Sequence, residues 1–220
     1  MEAIFAPKNI IEKIKGLNKN CVIVLGSEPV VSNHIKKEIR SFTDLNNIEY
    51  QSITFGAPDK INDIKQFFDT GSLFSNKTLF NISIPGGRVL EDTKKFIIKV
   101  IAENSNDYFI VHFQKITKEL LKSSWFQELN KKSLQLEAKE PDSNQIQQAI
   151  KARADFHNVS LDNESISLLS NLSLGNLLSA ENEVIKLSLA GLGAEIDIKK
   201  LISHISNGSK FDSFKLLDYC

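Results

Sequence analysis

The segment NCVIVLG, Asn20 to Gly26, constrains the fold more than any other. It is a continuous apolar run with no alternation, closed by a glycine. A strand with one face in water would alternate apolar and polar residues. An unbroken run fits a strand covered on both faces, which is the situation in a parallel sheet with helices on either side. Pro29 follows, with a fixed backbone angle suited to the first helical turn. After it Val30, Val31, His34, Ile35 and Ile39 recur at helical spacing.

The same strand–helix alternation continues. Ile48 to Phe55 (IEYQSITF) is rich in β-formers and alternates. Pro58 and Asp59 open a helix with Ile61, Ile64, Phe67 and Phe68 on one face, and Gly71 stops it. Lys77 to Pro85 reads as a strand with Phe80, Ile82 and Ile84 on one face, and DTKKFIIKVIAE as the next helix. Asp107 to Phe113 is a fourth strand. Thr117 caps a single helix running through KELLKSSWFQELNKK, and SLQLEA is a short fifth strand. Five strands separated by helices of this length predict an α/β domain with a doubly wound, mostly parallel sheet over residues 1–140.

Beyond Pro141 only helical patterns remain. One helix runs from about Ser143 to Phe156. A second, capped by Asp162, carries Ile166, Leu169 and Leu172. Gly175 and Asn176 break the chain before a third with Leu177, Ala180, Val184 and Leu187 as its stripe, and Asp197 caps a fourth. Residues 141–208 therefore read as a small helical bundle.

Composition excludes several functions. The 27 basic and 27 acidic residues cancel, so no overall field draws the chain to nucleic acid or membrane. Arginine occurs three times, at positions 40, 88 and 153, too sparsely for a surface built on bidentate phosphate or guanine recognition. The two cysteines, Cys21 and Cys220, form no disulfide framework, which fits a reducing, cytoplasmic setting. His34, His112, His157 and His204 share no metal-ligand spacing, so no metal is expected. No run is long and apolar enough for a membrane span, and the N-terminal fifteen residues lack the apolar core of a signal peptide.

The strand ending in Gly26 is where a phosphate-binding GxxxxGK[ST] loop would stand. Gly26 is present, but the second glycine is Val31, the lysine is Ser32 and the Ser/Thr is Asn33. The acidic pair that would follow a later strand is replaced by Gln114 and Lys115, and the helix after Gly175 carries no arginine. The charges that phosphoryl transfer requires have no source here. No catalytic residue and no cofactor are expected.

With these gaps, an α/β domain followed by a helical lid resembles an AAA+ module without a functional ATP site. More specifically, the chain resembles the delta subunit of the bacterial DNA polymerase III clamp loader. The likeness rests on LGSEPVVSNHIKKEIR, GSLFSNKTLFNISIP, SSWFQEL, LGNLLSAENEVIKLSL and SKFDSFKLLD, in that order along the chain. The cysteine-rich zinc module and Ser-Arg-Cys motif of the related delta prime subunit are absent. The resemblance implies a subunit that binds the sliding clamp, the beta subunit, and opens its ring during DNA replication without hydrolysing ATP itself. It implies partnership with the other clamp-loader subunits within the polymerase III holoenzyme, contact with DNA through the assembled complex, and a cytoplasmic location. It also implies a helical collar domain, of which residues 209–220 read as a truncated start.

In that family a Leu-Phe pair after the second helix binds the clamp, and the matching residues are Ser72, Leu73 and Phe74. The local pattern agrees. The helix before Gly71 and the strand after Lys77 each have a full apolar face of their own, and the pair stands between them in a turn. A fold-back of the pair under the sheet is the competing reading. Two other functions compete with clamp opening: a divergent P-loop-fold ATPase, and a DNA-binding module using Lys115, Lys118, Lys122, Lys131 and Lys132 on and around one helix.

Overall fold

The structure, a computed structural model, describes residues 5–55, 77–86, 89–191 and 196–208. Contacts divide the chain into two compact units, Pro7–Lys139 and Met1–Ala6 with Glu140–Cys220.

The first unit begins with helix α1 (Ile10–Gly16), whose Ile10, Ile11 and Ile14 are buried. Strand β1 (Cys21–Leu25) is buried along its whole length, as the unbroken apolar run requires. Helix α2 (Pro29–Leu45) follows, then β2 (Glu49–Thr54), β3 (Thr78–Ile84), helix α3 (Glu91–Glu103), β4 (Tyr108–Phe113), the short helices α4 (Lys118–Lys122) and α5 (Ser124–Lys131), and β5 (Ser133–Glu137). The five strands form one parallel sheet in the order β2-β3-β4-β1-β5. The fold is therefore the expected α/β, doubly wound parallel sheet, followed by a helical part. The helix expected between Pro58 and Gly71 lies outside the described residues.

Alternation along the strands builds two apolar layers. Cys21, Ile23, Leu25, Phe80, Ile82, Ile84, Phe109, Val111 and Phe113 join Phe96, Ile97, Val100, Ile101, Phe126 and Leu129 from α3 and α5 in one core. Phe80 stacks on Phe109 with ring centroids 5.4 Å apart, and Phe126 meets Phe113 edge-on at 5.6 Å. Val22, Val24, Leu79 and Ile110 point the other way, and Ile35 and Ile39 of α2 are likewise fully buried.

One element differs from expectation. The single helix over KELLKSSWFQELNKK is two. Ser123 takes an extended backbone (φ −67°, ψ 141°), and both its N–H and its hydroxyl donate to Leu120 O. Two successive serines offer the backbone a local alternative to the helical ladder. After the break Trp125 and Phe126 both pack on Phe113, with ring centroids 5.7 and 5.6 Å from it.

The second unit packs α6 (Ile146–Phe156), α7 (Asn163–Leu172), α8 (Leu177–Leu189) and α9 (Ile198–Gly208). The caps are those the sequence announces: Asp162 Oδ1 accepts from Ser165 N at 2.7 Å, Asn176 Oδ1 from Ser179 N at 3.0 Å, and Asp197 Oδ1 from Lys200 N at 2.9 Å. A parallel bridge joins Leu161 to Ile196.

Candidate functional site

In an open parallel sheet, ligands gather outside the carboxyl ends of strands where the chain's winding reverses. That point here is the end of β1. From β1 the chain leaves toward β2, while from β4 it crosses to β5 on the opposite side. The loop Gly26–Glu28 leads from this point into α2.

The loop is tied down on both sides of the exposed Ser27. Gly26 N donates to Phe113 O at 2.9 Å, and Glu28 N to Ala138 O at 2.8 Å. Gly26 has φ +113°, and a side-chain Cβ there would stand 2.2 Å from Ala138 O. Glycine is required at this position both by its backbone angle and by the close approach of the chain after β5. The carbonyl of Gly26 faces inward, where His112 Nε2 lies 2.6 Å away. At that distance from a carbonyl oxygen, Nε2 carries the hydrogen, and Nδ1 is left as a bare acceptor with no partner. Burial of His112 pushes its pKa below the ordinary histidine value; the bond to Gly26 opposes this and Lys36 adds to it. The ring is held neutral.

Glu28 completes the closure. It is 3% exposed, and its carboxylate caps α2 by accepting from Val31 N at 2.6 Å. Its backbone oxygen accepts from the Ser32 hydroxyl and from Ser32 N. Thus Ser32, which stands where a phosphate-binding loop has its lysine, turns back on the loop itself.

The sequence reading named Ser72, Leu73 and Phe74 as the clamp-contact residues, and these lie outside the described residues. Their neighbours are described. The chain leaves the sheet at Phe55, which is buried and bonds Ser83 O through its N–H. It rejoins at Thr78, whose N–H donates to Asp107 Oδ1 at 2.8 Å. Burial raises the Asp107 pKa, and this bond partly offsets the rise.

The five lysines proposed as a basic face are exposed but do not share one helix, because of the break at Ser123. Lys131 and Lys132 instead line a cleft of about 570 Å³ with Lys19, Asn18, Asn20, Ile101 and Ala102. The cleft receives the C-terminal ends of α1, α3 and α5, which carry partial negative charge. Lys19 is already engaged with Ser133 O at 2.7 Å, and Lys132 lies 3.6 Å from Glu128. Two of the cleft's lysines, Lys19 and Lys132, thus already have partners.

Cys21 is buried and its thiol is pushed up to about 12, which keeps it protonated and unreactive. Among the described residues no cluster of His, Cys, Asp and Glu could hold a metal ion, and no helix is long and apolar enough to cross a membrane.

In the second unit, one feature escaped the sequence reading. Arg153 is 3% exposed and makes a forked bond to Glu181, with Nε at 2.7 Å and Nη2 at 2.6 Å. His157 Nε2 approaches the same carboxylate at 2.8 Å, and Arg153 Nη1 donates to Phe5 O at 3.3 Å. Although burial alone would raise it, the Glu181 pKa is lowered by its bonds to Arg153 and His157. The pairing joins α6 to α8 across the intervening α7, a tertiary event that no local pattern in the sequence reports. The arginine of the helical part is therefore bound to a carboxylate.

No protein-family model matches the chain. In sequence it is 20% identical over 198 residues to the DNA polymerase III subunit delta of Escherichia coli strain K12, a match covering 89% of this chain and 58% of that protein. In structure it matches the Bacillus subtilis DNA clamp loader delta protein (YqeN) with a TM-score of 0.66 at 15% identity, over 88% of this chain and 60% of that one. The chain thus spans a little under two thirds of the length of each. It is similar in sequence to one clamp-loader delta subunit and shares its fold with another.

Proposed function

We propose that this chain acts as a clamp-loader delta-type subunit, which binds the sliding clamp and opens its ring without hydrolysing ATP. The observation that carries the reading is the collinear likeness to a DNA polymerase III delta subunit across 89% of the chain. The shared fold with a second delta protein and the closed loop after β1 support it. The division of labour follows the same likeness. Residues 1–140 contact the clamp, residues 141–208 form the lid, and residues 209–220 start a collar that joins other loader subunits. DNA is met through the assembled complex, in the cytoplasm.

The contact residues in this reading are Ser72, Leu73 and Phe74, on the connection between β2 and β3. Docking the Leu-Phe pair in an apolar pocket contributes roughly 3–6 kcal/mol gross, at about 1.5–3 kcal/mol per side chain. Association entropy removes much of this, so further contacts share the binding energy. Opening requires more than binding. A ligand shifts an equilibrium only by its different affinities for the two states. The chain must therefore bind a monomeric or opened clamp more tightly than a closed ring. Titrating both clamp forms tests this. Tighter binding to the monomeric form supports opening, and equal affinities would reduce the role to tethering.

A further inference from the structure

We infer that the cleft at the N-terminal end of the sheet is a second contact surface for the clamp, and that it takes an acidic segment of that partner. The inference rests on the clamp-binding reading and adds to it a place and a chemistry. The strands are parallel, so β1, β3, β4 and β5 all begin at one end of the sheet. The cleft lies there, among the residues that lead into β1, β4 and β5. Thr78, where the chain rejoins the sheet four residues after Phe74, opens β3 at the same end. A run of hydrogen bonds joins the two places. Thr78 N donates to Asp107 Oδ1 at 2.8 Å, Asp107 N to Asn104 O at 3.2 Å, and Asn20 Nδ2 to the same Asn104 O at 3.0 Å. Lys19, next to Asn20, donates its Nζ to Ser133 O at 2.7 Å. The start of β3 and the wall of the cleft are parts of one fixed rim.

Charge decides what the cleft accepts. Its lining holds three ammonium groups, those of Lys19, Lys131 and Lys132, and no carboxylate. The acids in the last turns of the flanking helices are already matched, Glu103 with Lys99 at 3.8 Å and Glu128 with Lys132 at 3.6 Å. The partner of Lys19 is an uncharged carbonyl, and among the described residues no ion pair engages Lys131. Nor do the helix ends consume this charge, because neutral donors meet their carbonyls. Ile14 O accepts from Lys19 N, Ile101 O from Asn20 Nδ2, and Leu129 O from Lys132 N and the Ser133 hydroxyl. Beside the excess positive charge lies exposed apolar surface from Leu17 and Ala102. A cleft of about 570 Å³ with this lining suits a carboxylate-bearing side chain next to an apolar one. It suits a nucleic-acid backbone less well, since it contains no arginine, the side chain whose fork grips phosphate.

The test is isothermal titration of the sliding clamp with the full chain and with Lys131→Gln/Lys132→Gln, at about 50 mM and about 300 mM sodium chloride. The parent should bind more weakly at the higher salt. The double variant should bind about 10-fold more weakly than the parent at the lower salt, with a smaller salt dependence, because charges at an interface rim act through screened attraction. Lys131→Arg/Lys132→Arg keeps the charge and should retain binding. Lys118→Gln/Lys122→Gln removes the same charge from exposed positions on α4, after the other end of β4, and should bind as the parent does. Parent-like affinity and salt dependence in Lys131→Gln/Lys132→Gln overturns the inference and leaves the clamp-binding reading standing. Equal weakening by the α4 variant overturns it too, by reducing the effect to net charge. A parent that does not bind the clamp overturns both. Anisotropy of a fluorescein-labelled DNA duplex supplies the last arm. If Lys131→Gln/Lys132→Gln loses affinity for the duplex but not for the clamp, the cleft serves phosphate and the inference falls.

Discussion

His112, the penultimate residue of the interior strand β4, donates its Nε2 hydrogen to the carbonyl of Gly26 at 2.6 Å, across 86 residues of sequence. The bond fixes the peptide that begins the β1–α2 loop, and it demands a neutral ring. Since the folded pKa lies below the ordinary 6.5, the unfolded chain binds more protons once the pH drops past that value. The contribution of His112 to stability is therefore full above about pH 6.5, declines as the pH falls toward the folded pKa, and then levels off. Chemical denaturation at a series of pH values between neutrality and pH 5 measures this. His112→Gln keeps an N–H near the Nε2 position without the titration. It should flatten the pH slope relative to the parent; an unchanged slope would assign the titration to another group.

Gly26 is the second fixed point of the loop. With φ +113° and Ala138 O 2.2 Å from any added Cβ, Gly26→Ala incurs both backbone strain and a collision with main chain. A loss of roughly 1–3 kcal/mol from strain alone is expected, and the collision adds to it. Urea unfolding gives the number. Gly16→Ala is the control, since a Cβ there meets nothing within 4 Å.

In the helical unit, Arg153 and Glu181 form a pair in which both side chains are nearly dry, at 4% and 8% exposure. Arg153→Met leaves a buried carboxylate with His157 as its remaining partner in this cluster and should cost about 3–5 kcal/mol. Changing both residues to methionine removes the stranded charge as well, so the double variant should be more stable than Arg153→Met. Melting curves of the three proteins test this, and a double variant less stable than the single would contradict it.

Much of the α/β unit was legible because its signals are local or periodic. The unbroken run Cys21–Leu25 could be buried only on two faces, and Phe80, Ile82 and Ile84 mark a strand face by alternation. Helix α1 was less visible: its buried Ile10, Ile11 and Ile14 are interleaved with lysines and a glutamate, and no capping side chain announces it. The break at Ser123 was missed because the apolar spacing of Leu120, Phe126 and Leu129 is nearly continuous across it. Pro29 told of the helix start, whereas Glu28 as its cap required knowing that the side chain turns inward. The closure by Ala138 and the pairing of Arg153 with Glu181 join residues far apart in sequence, where no periodicity reports them. For Ser72, Leu73 and Phe74 the sequence supplies the flanking patterns and the family likeness.

The central claim is clamp binding through the β2–β3 connection. The most direct measurement is the affinity of the full chain for the sliding clamp by isothermal titration, beside Leu73→Ala/Phe74→Ala, with melting curves of both. The account predicts binding by the parent and a loss of at least about 100-fold in the double variant, corresponding to roughly 3 kcal/mol, with unchanged melting. Binding that survives the double substitution would contradict the account.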